Sequence, residues 1–202
     1  MPSYAKQRIA LRYWLSGAGY WLALDAFEFA ADHHRGTRKD GTTPEFAHQI
    51  AIASYLRTLQ GSLLYPEETL AVAMLHDVRE DYDIEAAVIE DRFGLIVASG
   101  VDAMTKEFKG IKRDPHAVFA AIAADPVASV VKPADRIHNQ SSLLGVFSPE
   151  KARSYVAETR EFFFPLVRTA RRRFPRQEPA YENEKLMLEA QCALLEALYP
   201  AP

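Results

Sequence analysis

The chain has 202 residues, 49% hydrophobic and 25% charged, enough apolar content for one core and too much for an extended disordered protein. A formal net charge of -3 and a pI near 6.1 supply no overall basic field for a nucleic-acid backbone, so any anion site must be local. A single cysteine, Cys192, excludes an intrachain disulfide and a Cys-rich zinc cluster, and its helical setting predicts a buried, inert thiol.

The opening "MPSYAKQRIALRYWL" has no apolar stretch followed by a small-residue cleavage site, and no run approaches the roughly 18 apolar residues of a membrane span. The expectation is a cytoplasmic chain with no membrane or nucleic-acid partner. Apolar residues recur with helical period almost throughout, and no strict alternation marks a half-buried strand. The predicted fold class is all-α: one domain over residues 1–202, with its core at about 18–170 and a last helix at about 183–198.

A first helix is predicted from about Ala18 to His34, stopped by Gly36. The loop "RGTRKDGTTPE" follows, and Pro44 suits the first turn of a helix reaching about Leu59. Pro66, with Glu67 and Glu68 behind it, opens the next helix, whose acids favour the positive end of the macrodipole. The segment from Asp83 to Phe93 reads as a helix ending at Gly94, and "LIVASGVDAMTKEF" as another. Then come "HAVFAAIAAD" and "VASVVKPADRIHNQSSLLGV", where Pro133 marks a start or a kink. A long helix enters through Ser148 and Pro149 and is interrupted or bent at Pro165.

Chemistry concentrates in "AVAMLHDVREDYD", where a buried-helix pattern runs into His76, Asp77, Glu80 and Asp81. On a continuous helix His76 lies over Glu80, and Asp77 over Glu80 and Asp81. Burying His and Asp beside "AVAML" costs several kcal/mol unless they are paired, hydrogen-bonded or metal-bound. His48, in an otherwise apolar helix, and Asp135, beside Val130 and Val131, are further polar groups that need partners. Taken singly, each has a plainer reading: a helix end, a hydrogen-bonded core histidine, or an ion pair of Asp135 with Lys132 or Arg136.

Together, His48, His76, Asp77 and Asp135 match the metal-binding pattern of the HD superfamily of phosphohydrolases. The chain resembles the hydrolase domain of the RelA/SpoT family, especially the single-domain small alarmone hydrolases. The resemblance rests on "FAADHHRGTRKDG", "TPEFAH", "LAVAMLHDVRED", "FGLIVASGVDAMTKE", "VVKPADRIHNQSSL" and "VAETREFFFPL", which span about Phe29 to Leu166. No separate synthetase domain is expected within these residues.

Two imidazoles and two carboxylates suit Mn, Fe or Zn better than Ca or Mg, and the resemblance implies one divalent ion, Mn²⁺. It also implies Glu80 and Asp81 as the acid-base pair, and Arg38, Lys39, Asn139 and Ser142 as contacts to a nucleotide substrate. His34 is expected behind the ligands rather than among them; His33, His116 and His138 are not expected as ligands. The run Arg171-Arg172-Arg173 reads as a solvated helix face.

The implied reaction is removal of the 3′-pyrophosphate from guanosine 3′,5′-bis(diphosphate) or its pentaphosphate relative. Alternatives are another nucleotide substrate (an adenosine alarmone, a nucleoside monophosphate or NADPH) or a non-catalytic, antitoxin-like binding protein. The chain departs from the pattern at several positions: Glu45-Phe46-Ala47-His48-Gln49 stands in place of Tyr-Ile-x-His-Pro, Thr37 in place of Gln, Val78-Arg79 in place of a small or β-branched pair, and Pro133 in place of a common leucine, so the ligands are kept while a different base-reading pocket is open.

Overall fold

In the computed structural model, which describes residues 3–200, helix follows helix with one small exception. Helix α1 (Tyr4–Ala18) ends where Gly19 takes the left-handed conformation at φ 72°, and α2 (Trp21–His33) starts two residues later. The helix predicted from Ala18 therefore begins at Trp21. The loop after α2 folds on itself: Arg38 N–H donates to Thr43 O at 2.8 Å and Glu45 N–H to Gly36 O at 2.9 Å. The Asp40 carboxylate accepts from the backbone of Thr42 and Thr43. Pro44, expected in a first helical turn, instead pairs with Thr37 across this loop. Helix α3 runs Ala47–Leu56 and passes into a 3₁₀ segment, Arg57–Ser62.

Helix α4 (Pro66–Leu75) has its proline in the first turn, as predicted. Its Glu67 carboxylate accepts from Leu22 N–H at 2.6 Å and Ala23 N–H at 3.4 Å, so one side chain satisfies orphan donors at the start of α2. Every residue from Thr69 to Leu75 is buried. Helix α4 is thus the central rod, packed by α2, α3, α6 and α8, and each of its large apolar side chains contributes roughly 1.5–3 kcal/mol of burial.

A turn at His76-Asp77 leads into the short α5 (Val78–Tyr82). Helix α6 (Ala86–Met104) breaks at Gly94, whose φ of 82° is outside helical space, as the two predicted helices require. Gly100 permits the closest approach of α6 to α4: a Cβ there would lie 2.9 Å from a Val72 methyl. The end of "DAMTKEF" is not helical. Glu107–Phe108 (β1) and Ile111–Lys112 (β2) form an antiparallel hairpin around Lys109 and Gly110, both at positive φ.

Helices α7 (Pro115–Ala124) and α8 (Ala128–Ser141) follow, with Pro133 inside α8. Helix α9 (Pro149–Glu158) is capped by Ser148. It widens into a π segment, Thr159–Phe163, before α10 (Phe164–Arg173). Pro165 explains the widening: it has no N–H to donate, and its ring would strike the carbonyl of Glu161 in a regular helix. Helix α11 (Glu178–Leu198) starts a turn earlier than predicted, with Pro179 in its first turn.

Helix α11 packs on α8. At this seam the Ser129 and Tyr181 hydroxyls lie 2.8 Å apart, and Gln177 Nε2 donates to the Tyr181 hydroxyl at 2.8 Å. Cys192 is buried, as expected. Glu184 is fully buried too, and neither of its carboxyl oxygens has a partner. Among the described residues no helix is long and apolar enough to cross a membrane.

Candidate active site and metal centre

The turn after α4 delivers His76 into the interior, 1% exposed, while Asp77 keeps about a third of its side chain open. The helix pauses here, so His76 and Glu80 do not share one continuous ridge; α5 restarts with Asp81 N–H bonded to Asp77 O at 2.9 Å. His48 comes from the first turn of α3 and Asp135 from the buried face of α8.

The four side chains converge. His48 Nε2 lies 3.2 Å from Asp135 Oδ1 and 3.8 Å from Asp77 Oδ2. His76 Nε2 lies 2.9 Å from Asp77 Oδ2 and 4.0 Å from Asp135 Oδ1. Donor atoms of His48, His76 and Asp77 all fall within 4.8 Å of one another.

The rear nitrogens fix which way the lone pairs point. His76 Nδ1–H donates to Ala73 O at 3.0 Å, so Nε2, 2.9 Å from Asp77 Oδ2, is the nitrogen that an ion would take once its proton is displaced. That Nε2 is buried and, despite its proximity to Asp77, has no aligned hydrogen bond. His48 Nδ1 meets His138 Nδ1 at 2.8 Å, and a proton carried by His48 in that bond leaves its Nε2 lone pair facing Asp135 and Asp77. Two inward lone pairs and two carboxylates fit a divalent transition metal, and an orphaned buried ring nitrogen is what such an ion would satisfy.

Asp135 is braced from both sides. Lys132 Nζ donates to Oδ2 at 3.0 Å, the ion pair foreseen as its plainer reading, and Asn139 Nδ2 donates to Oδ1 at 2.6 Å. Asn139 Oδ1 in turn accepts from Arg38 at 3.1 Å. A cavity of about 280 Å³ opens beside this relay, lined by Arg38, Lys39, Glu45, Asn139, Ser142 and Tyr155. All four residues expected to contact the nucleotide therefore share one pocket. Ser142 Oγ is occupied, donating to Asn139 O at 3.0 Å.

Electrostatics follow from this crowding. Burial lowers the pKa of His76, but Asp77 and Asp135 outweigh it and raise it to about 9. Burial dominates at His48 and lowers its pKa. His138 drops to about 3 through burial and the nearby His48 and Arg38, so it stays a neutral acceptor for His48. Asp81, at the rim, rises to about 6 through partial desolvation and the charges of Asp77, Glu45 and Glu80.

Glu80 points elsewhere: its Oε1 accepts from Lys106 N–H. Arg79 does not pair with either acid. It bonds Ile84 O and Asp102 and lies 4.6 Å over the Phe108 ring. Arg136 is likewise structural, bound to Glu158 at 2.6 Å.

Two participants escaped the sequence reading. His138 stands three residues after Asp135, on the same helical face, which was the available signal. Glu45 gave none: its carboxylate returns beside His34 only because the loop closes.

These features define a helical fold with a buried His-Asp cluster that could hold a metal ion, and the HD domain family matches residues 26–173. The chain belongs to that family. It is 40% identical to a probable guanosine-3′,5′-bis(diphosphate) 3′-pyrophosphohydrolase of Synechocystis over 158 residues, 74% of this chain and 20% of the relative. It is 33% identical to the guanosine-3′,5′-bis(diphosphate) 3′-pyrophosphohydrolase of Vibrio cholerae, over 70% of this chain and 21% of that one. It is 34% identical to the bifunctional (p)ppGpp synthase/hydrolase SpoT of Escherichia coli, with the same coverage. The chain spans about a fifth of the length of these relatives. They bear out the resemblance read from the motifs.

Proposed function

We propose that this chain is a metal-dependent hydrolase of guanosine 3′,5′-bis(diphosphate) and its pentaphosphate relative, releasing pyrophosphate and leaving GDP or GTP. His48, His76, Asp77 and Asp135 hold one divalent ion, Mn²⁺, within one HD-type unit that covers the chain. The observation that carries the reading is the pair of inward Nε2 lone pairs and two carboxylates beside a pocket that offers Arg38 and Lys39. When bound, the ion supplies Lewis acidity toward a phosphoryl oxygen and a water acidified for attack.

The protein residues do the rest. Lys132 and Asn139 hold Asp135 still, and the His138 acceptor keeps His48 in the tautomer with Nε2 free. Arg38 presents a planar fork and Lys39 a point charge to the nucleotide. Asp81, one turn beyond Asp77 at the rim of the site, is placed to take the proton of the attacking water and return one to the departing 3′ oxygen. Glu80, its partner in that pair, adds negative charge beside Asp81, and its bond to Lys106 N–H fixes its position.

Incubation of the metal-loaded chain with guanosine 3′,5′-bis(diphosphate) should give GDP and intact pyrophosphate by chromatography. Stepwise release of two orthophosphates would mean a phosphatase instead. A second reading keeps the chemistry and changes the base: Glu45 lines the nucleotide pocket where the resembled pattern carries tyrosine. An adenosine alarmone, a nucleoside monophosphate or NADPH cleaved faster than the guanosine substrate would favour it.

A further inference from the structure

A second set of donors sits beside the first and is not used by it. His34 follows α2, Glu45 closes the loop before α3, and Asp81 stands in α5; one donor atom from each lies within 4.8 Å of the other two. His34 is 3% exposed, and its Nδ1 is buried without a hydrogen-bond partner, Glu45 Oε1 being 3.5 Å away. Glu45 is held in this pose through its other oxygen, which accepts from Tyr82 Oη–H at 2.8 Å and Gly36 N–H at 3.2 Å.

The far side of the His34 ring decides what Nδ1 presents. Its Nε2 lies 3.4 Å from the Gln49 amide nitrogen, while Gln49 Oε1 is buried and unpaired. The two ends of a glutamine amide are interchangeable in shape, and hydrogen bonding chooses between them. With the amide turned over, Oε1 accepts from His34 Nε2–H. That leaves Nδ1 as a bare lone pair aimed at two carboxylates. Three acceptors facing one another repel, and a cation between them turns repulsion into coordination. Burial also keeps His34 in the neutral form that ligation needs.

We propose that His34, Glu45 and Asp81 form a second divalent-cation site, next to the four-residue centre and distinct from it. One imidazole and two carboxylates select a transition-metal ion of the Zn²⁺ or Mn²⁺ kind over Ca²⁺. Three ligands, one of them exposed at the rim, make it the weaker of the two sites. Filling it commits the Asp81 oxygens to the ion and takes them away from proton transfer, so excess metal slows turnover. That consequence rests on the reaction proposed above; the site itself does not.

The test is zinc binding by the metal-stripped, full-length chain, measured by equilibrium dialysis. Two ions per chain are expected, in two steps. The weaker step falls at least tenfold in affinity in both Glu45→Gln and Asp81→Asn, while the tighter step persists. Glu45→Gln keeps an oxygen acceptor for Tyr82 and Gly36, so the loop is preserved. The ¹⁵N signal of His34 Nδ1 in the wild-type chain, followed during the second step, reads the site without any substitution and should move to the metal-bound range. One ion per chain, a second step unchanged in both variants, or a His34 signal that stays put would overturn the proposal. Loss of the tight step alone, with the His34 signal still responding, would count against the four-residue centre and for this one.

Discussion

Glu184 offers a test of the energetics in which no metal or substrate takes part. Its carboxyl is fully buried in α11 with both oxygens unpartnered, and burial raises its pKa well above the ordinary 4.5. The folded chain therefore keeps a proton that the unfolded chain releases above pH 4.5. Folding stability is at its full value below that pH and is lost as pH rises toward the folded-state pKa. Each pH unit in this window costs about 1.4 kcal/mol, a sizeable part of a typical folding free energy. Glu184→Gln removes the titration while keeping the shape. In urea unfolding of the metal-stripped proteins, the variant's advantage should be small near pH 4.5 and grow as pH rises, by up to about 1.4 kcal/mol per pH unit, less the cost of burying the amide. Other titrating groups are common to both proteins and cancel in the difference. A gap that does not change between pH 5 and pH 8 would refute the reasoning.

Affinity at the four-residue centre should depend on pH, because a metal must displace the proton that gives free His76 a pKa of about 9. It should fall up to tenfold per pH unit as pH drops below 9, with one proton released per ion, measurable by calorimetry in two buffers. His138→Leu removes the acceptor that orients His48 and should weaken tight metal binding by roughly 10–100-fold; His138→Asn, which offers an oxygen in its place, should recover part of that loss. Asp81→Asn should lower kcat by roughly 10²–10⁴-fold with the tight metal retained by elemental analysis, and unchanged turnover would return the proton role to Glu80.

The helical character of the chain was legible because it depends on local spacing, whereas the four convergent side chains lie on three separate segments and were picked out by the resemblance of those segments to a known family; the cost of burying polar groups said only that each needed a partner. Gly94, Pro66, Ser148 and Pro165 acted where their backbone chemistry required. The misses have physical causes too. Helix α1 buries only Leu11 and Leu15, which leaves a faint amphipathic signal. The hairpin at Glu107–Lys112 is too short for alternation to register, and only the Lys109-Gly110 turn marks it. Pro44 suits a helix start as well as an extended pair, and the Asp40 turn selects the second. At the site, the Lys132–Asp135 pair was foreseen from its spacing within one helix, whereas the contact of His138 with His48 and the return of Glu45 to His34 are set by how α3, α8 and the loop meet, and no spacing within one segment records those contacts.

The line of contacts from Arg38 through Asn139 to Asp135 joins the proposed nucleotide pocket to the proposed metal centre by two hydrogen bonds. A phosphate that draws the Arg38 guanidinium away from Asn139 changes the field and the restraint on Asp135, so arrival of the nucleotide alters the hold on the ion. Reciprocity then fixes the converse: whatever factor the nucleotide imposes on metal affinity, the metal imposes on nucleotide affinity. Part of the coupling between the two ligands then belongs to three side chains, and cutting the line at Asn139 should remove that part and leave what the ion and the phosphate exchange directly.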